Sequence, residues 1–133
     1  MIQSLFVVCG LVTHNGKILV LKKSEDDYNY PERWSFVGGF VKEFEPGEDT
    51  IIREIEEETG LQARIVQKGP VVVGKDEKKE IDWVTLPFIC EADTDKVKLD
   101  HENTAYCWIT KEEVKNYPFV PGIIESLKSI GFL

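Results

Sequence analysis

Long apolar runs are missing from this 133-residue chain. None approaches the roughly 20 residues that a helix needs to cross a bilayer, so no membrane role is expected. Basic residues are also scarce: 16 Lys and Arg stand against 24 Asp and Glu, a formal charge of −8. General nucleic-acid binding wants a basic face, and that class is set aside. Cysteine is rare and odd in number. Cys9, Cys90 and Cys107 lie far apart among apolar or aromatic neighbours. They show no paired Cys/His spacing of a zinc site, and the expectation is buried, reduced thiols in a cytoplasmic protein. Met1 to Ser4 carry no charged leader and no signal-like cleavage site, so export is not expected. The chain shows no linker, repeat or low-complexity tract, and its length suits one domain, residues 1–133, with an ordinary core.

What the chain has in excess is glutamate, concentrated in one place. From Arg53 the sequence reads Arg53-Glu54-Ile55-Glu56-Glu57-Glu58-Thr59-Gly60-Leu61. Side chains three and four apart share one face of a helix. Glu54, Glu57 and Glu58 therefore cluster, and their mutual repulsion asks for a cation. Clustered carboxylate oxygens suit Mg²⁺. An acidic site facing a phosphate substrate has the same need, since a metal ion bridges the two.

The hydropathy pattern places this segment among strands. Leu5 to Val12 and Lys17 to Lys22 read as strands joined by a turn at Asn15-Gly16. Ser24 to Glu32 is polar and turn-like. Trp34 to Val37 reads as one short strand. After Pro46, acidic residues in the first turn favour a helix, with Ile51, Ile52 and Ile55 as its apolar stripe and Gly60 as its stop. Leu61 to Val73 reads as strand broken near Gly69-Pro70, Gly74 to Glu80 as a charged turn, and Ile81 to Ala92 as a long strand. Tyr106 to Ile109 is a further strand. Thr110 and Glu113 form a capping box for a short helix, and Pro121 to Ile130 a final helix.

The spacing of Gly39, Glu45, Arg53, Glu54, Ile55, Glu57, Glu58, Gly60 and Leu61 resembles the Nudix box of the MutT-related pyrophosphohydrolases, G-x5-E-x7-R-E-U-x-E-E-x-G-U with U apolar. All nine specified positions over twenty-three residues agree. The resemblance implies an α+β fold, a Nudix-type α/β/α sandwich with a mixed β-sheet between helices. It also implies hydrolysis of a diphosphate linkage in a nucleoside di- or triphosphate derivative, with Mg²⁺ as cofactor and Mn²⁺ as a substitute. An ADP-ribose or dinucleotide pyrophosphatase, or a non-catalytic nucleotide-binding domain, is the alternative. The partner is a small-molecule nucleotide, and the chain a monomer or homodimer.

Roles carried over from the family fall on these residues. Glu54, Glu57, Glu58 and the Gly39 carbonyl align with metal ligands. Glu54 is either a ligand or the group that orients or deprotonates water. Arg53 holds one carboxylate by a forked hydrogen bond. Glu45 and Gly38 support the box, while Glu56 fills an unspecified position and is read as surface. Glu102, in Asp100-His101-Glu102, is the candidate acidic residue outside the box, with Glu80 and Asp82 as weaker alternatives and His101 as a base or, more often, a loop residue. Phe40 and Trp34 are candidate base-stacking residues, as are Tyr28, Tyr30 and Trp83. Val37, Phe40 and Phe44 depart from residues common in MutT-like sequences, which leaves the substrate open.

Overall fold

The computed structural model describes residues 1–132. Its centre is a mixed sheet of eight strands among the described residues. β1 (Gln3–His14) and β7 (Ile81–Ala92) lie side by side in parallel, in register from Gln3 opposite Ile81 to Thr13 opposite Glu91. The other pairings are antiparallel. β2 (Lys17–Lys23) follows β1 through the Asn15-Gly16 turn, where both residues have positive φ. β3 (Trp34–Ser35) and β8 (Asn103–Ile109) flank β2, while β4 (Val37–Phe40) pairs with β1. β5 (Ala63–Lys68) and β6 (Val72–Asp76) share β7 between them.

Both faces of the sheet are covered, which explains the unbroken apolar run in β2. Strand side chains alternate between faces. Leu19 and Leu21 enter a core with Val8, Val12 and Phe88, beneath helix α1 (Gly47–Thr59). Ile18 and Val20 enter a second core with Cys9, Leu11 and Phe36, beneath a 3₁₀ turn (Lys111–Asn116) and helix α2 (Ile123–Ser129). The expected α/β/α sandwich is what forms. From α1, Ile51 and Ile55 are fully buried, each contributing about 1.5–3 kcal/mol by leaving water. Gly60 ends α1 in the left-handed region (φ 71°), its N–H closing on the Glu56 carbonyl at 2.9 Å.

Several expected boundaries shift. Trp34 to Val37 is two strands, because the chain leaves β2 for β1 at Phe36 and buries that ring in the second core. The turn after Val73 is confined to residues 77–80, because β6 continues along β7 to Asp76 opposite Ile81. β8 starts at Asn103, three residues before Tyr106. The capping box at Thr110 is present, Glu113 accepting from both the Thr110 N–H and its hydroxyl, but the turn it opens is 3₁₀. The last helix is shorter than Pro121 to Ile130, spanning Ile123–Ser129. Among the described residues no helix is long and apolar enough to cross a membrane.

Candidate functional site

Helix α1 turns its polar face toward the loop end of β4, and Arg53 organises what lies between. Its Nε and Nη2 donate to the two oxygens of Glu45, both at 2.8 Å. Nη1 donates to Glu54 at 2.8 Å and to Glu57 at 3.1 Å. Nη2 also reaches the Phe40 carbonyl at 3.3 Å. The expectation of one forked carboxylate is met at Glu45, and the same guanidinium also spans two glutamates of the helix. Arg53 holds the Glu45 carboxyl down to about 2, helped by the Thr50 hydroxyl at 2.8 Å. Glu45 thus pins the loop before α1 to the helix.

Glu58 sits differently. It is 5% exposed, and no cation pairs with it among the described residues. Its Oε2 accepts from the Gly38 N–H and its Oε1 from the Asn103 amide, each at 3.2 Å. Burial pushes its carboxyl well above the usual carboxylate range, and the neighbouring Glu54 charge pushes it further. Glu54 is raised too, by burial first, against the opposing pull of Arg53. A β-carbon on Gly39 would fall on the Glu54 carboxylate, so glycine is what lets backbone and carboxylate meet.

These features fit a hard divalent cation. Two crowded, desolvated carboxylates beside exposed backbone are costly as anions and are stabilised by a shared positive charge. The donors are all oxygen, the preference of Mg²⁺ and Mn²⁺. Among the described residues, no three ligating side chains are already gathered around one point. Glu57 is half-exposed and turned to Arg53.

A cleft of about 1200 Å³ opens beside this site. Sheet register carries it from Gly39 through Phe40, across Val7 of β1, to Thr85 and Trp83 on β7. The Trp83 indole N–H donates to the Tyr30 hydroxyl at 3.0 Å, and that hydroxyl donates to Asp76 at 2.8 Å. Phe40 and Trp83 face each other with ring centroids 6.2 Å apart. The structure does not bring Trp34 here. Its ring packs edge-on against Tyr117 at 5.0 Å, in the second core, because β3 turns it to the α2 side. Tyr28 lines the cleft but is 94% exposed.

Glu102 and His101 stand exposed on the cleft rim, whereas Glu80 and Asp82 do not border it. The residue of that segment that reaches the glutamates is the next one, Asn103. No signal of charge or spacing marked it: Asn103 is a neutral amide that follows Asp100-His101-Glu102.

Comparison with known proteins follows the same lines. The model of the NUDIX domain family matches residues 3–129. The nucleoside triphosphatase NudI of Escherichia coli O17:K52:H18 is 29% identical over 96% of each chain. In three dimensions the chain resembles the MutT protein of Methanosarcina mazei Go1, with a TM-score of 0.84 and 22% identity over 98% of this chain and 94% of that one. It also resembles a bifunctional NMN adenylyltransferase/ADP-ribose pyrophosphatase of Francisella tularensis, complexed with AMP and a manganese ion. That TM-score is 0.80 with 18% identity, over 96% of this chain and 41% of the larger protein.

Proposed function

The chain belongs to the Nudix family and is a hydrolase of that family, and from this membership we propose that it is a Mg²⁺-dependent pyrophosphohydrolase of nucleoside triphosphates. One observation carries the reading: Glu58, buried near Glu54, is held by two neutral donors, Gly38 and Asn103, and by no cationic side chain among the described residues. Its charge is thus kept for something not supplied by the protein. The likeness to a nucleoside triphosphatase over nearly the full length of both chains favours the substrate class.

In this reading Glu58 and Glu57 hold the cation, with the Gly39 carbonyl beside them. Mn²⁺, which the Francisella protein carries, would substitute. When bound, the cation neutralises phosphoryl oxygens and makes water easier to deprotonate. Glu54 is a further ligand or takes the proton from the attacking water. Glu102, exposed on the cleft rim, is the candidate second acid for this step. Arg53 keeps Glu54 and Glu57 from repelling each other apart. Water substitutes in line at phosphorus and the diphosphate bond breaks. Phe40 and Trp83, rather than Trp34, flank the base.

The test is a parallel turnover screen with Mg²⁺: normal and oxidised dNTPs, ADP-ribose, dinucleoside polyphosphates and NADH. Turnover of triphosphates to a nucleoside monophosphate and pyrophosphate is expected. Preference for ADP-ribose or a dinucleotide would replace the substrate class, and no turnover of any compound would leave a binding domain.

A further inference from the structure

We propose that Asn103 is a positioning residue that fixes Glu58 as a ligand and couples cation binding to the 98–103 segment. The proposal rests on the reading of Glu58 as a cation ligand.

The backbone places Asn103 by an irregularity. Along β8, Tyr106 and Trp108 lie opposite Leu21 and Leu19, on the α1 side, and Trp108 packs against that core. Cys107 and Ile109 belong to the opposite core. Strict alternation would send Asn103 to the side of Cys107 and Ile109, away from α1. The register breaks between Lys22 and Lys23, however: Lys22 lies opposite Ala105, and Lys23 opposite Asn103, so Thr104 is the extra residue of a bulge. A bulge re-aims the side chain beside it. Asn103 turns to α1, becomes 6% exposed, and donates to Glu58 Oε1 at 3.2 Å.

The chemistry of the amide suits the task. A carboxylate has about four lone-pair directions, and Asn103 and Gly38 each take one, leaving the rest for a cation. Lys or Arg in the same place would compete with that cation by charge. Asn103 Nδ2 also reaches Asp100 Oδ1 at 3.4 Å, and Asp100 Oδ1 accepts from the Glu102 N–H at 3.1 Å. The Asp100 N–H donates to the Glu58 carbonyl at 3.3 Å, and the Lys98 N–H to the Thr59 carbonyl at 2.8 Å. The segment is thus laced to the last turn of α1 through both backbone and side chain, and it carries Glu102 to the cleft rim. A cation that draws on Glu58 acts on this lacing through Asn103.

Two measurements decide it. In the unmodified ¹⁵N-labelled protein, Mg²⁺ is titrated and the side-chain amide of Asn103 followed by NMR. It should shift with the same midpoint as the Gly38 backbone amide, and the amides of residues 98–102 should follow. In the near-isosteric variant Asn103→Leu, Mn²⁺ affinity read by electron paramagnetic resonance should fall about 10–100-fold, the range for removing a group that orients a ligand. If the parent binds the ions but its Asn103 amide does not move, or if a folded Asn103→Leu keeps its Mn²⁺ affinity, the role of Asn103 is overturned while the cation site stands. If the parent binds neither ion, the cation site falls and the proposal with it. Where Asn103→Leu does not fold, the titration of the parent decides alone.

Discussion

Arg53 meets Glu45 through two parallel hydrogen bonds of 2.8 Å, Nε to Oε2 and Nη2 to Oε1. The fork uses two of the guanidinium's three nitrogens and leaves Nη1 for Glu54 and Glu57. A point charge has no such division. Arg53→Lys should therefore lower kcat about 10–100-fold, the range for losing a group that orients ligands. The cation-free melting temperature should also fall, and Mg²⁺ should restore part of it by screening the freed carboxylates. Calorimetry with and without Mg²⁺, beside steady-state kinetics, checks both.

Glu58→Gln separates stability from catalysis. Charging the buried Glu58 carboxyl is costly, whereas the amide is neutral and Asn103 can rotate to accept from it. The melting temperature without cation should equal or exceed that of the parent, while the gain on adding Mg²⁺ disappears and turnover falls at least about 100-fold. Near-normal turnover at saturating Mg²⁺ would remove Glu58, and with the same result Glu57→Gln would remove Glu57, from the ligand set.

Gly39→Ala tests the close approach of backbone and carboxylate. Gly39 is held opposite Val8 in β4, so the strand has little freedom to retreat. The new methyl group displaces Glu54 instead. Circular dichroism should stay native while Mn²⁺ affinity and kcat both drop. An unchanged affinity would show that Glu54 is not needed where it stands.

Trp83 offers its ring to the cleft with its N–H already occupied by Tyr30. If the base stacks there, Trp83→Ala raises KM about tenfold with little change in kcat, as stacking is worth about 1–3 kcal/mol. Tyr30→Phe, which releases the indole from the Asp76 network, should give a smaller rise in KM. Quenching of tryptophan fluorescence by a non-hydrolysable triphosphate analogue is an independent check, and an unaltered KM in Trp83→Ala would move the base elsewhere.

Burial pushes the Cys9 and Cys90 thiols up to about 12, with the Glu58 charge adding to the effect at Cys9. Only about one in 10⁴ of either would be thiolate at pH 8. Iodoacetamide at that pH should leave both unmodified in the folded protein and modify all three cysteines in guanidinium, as read by peptide mass spectrometry. Rapid native labelling of Cys9 or Cys90 would contradict the packing around them.

What the sequence showed well was whatever depends on local periodicity. The helical spacing of Glu54, Glu57 and Glu58 put them on one face, and the apolar, β-prone run of Lys17 to Lys22 marked a strand. What it concealed depends on which strand meets which. Phe36 divides two strands because their partners differ, a fact written in β1 and β2. Trp34 and Trp83 are both aromatics in strands, yet pairing turns one to a core and the other to the cleft. Glu102 and Asn103 differ by one position, and a bulge against Lys23 decides which of them reaches Glu58.

The parallel pairing of β1 with β7 joins residues 78 apart in sequence, from Gln3 and Ile81 onward. The bond from Asn103 to Glu58 spans another 45. Contacts of such separation form slowly, because loop closure must precede any gain from them. The glutamate helix lies inside the first of these loops, and its clamp comes from beyond β7. A chain emerging during synthesis can wind the acidic helix early, but it lacks the second of the two donors that hold Glu58 until β8 has been made. The part of this protein that defines its chemistry is therefore translated early and becomes competent late.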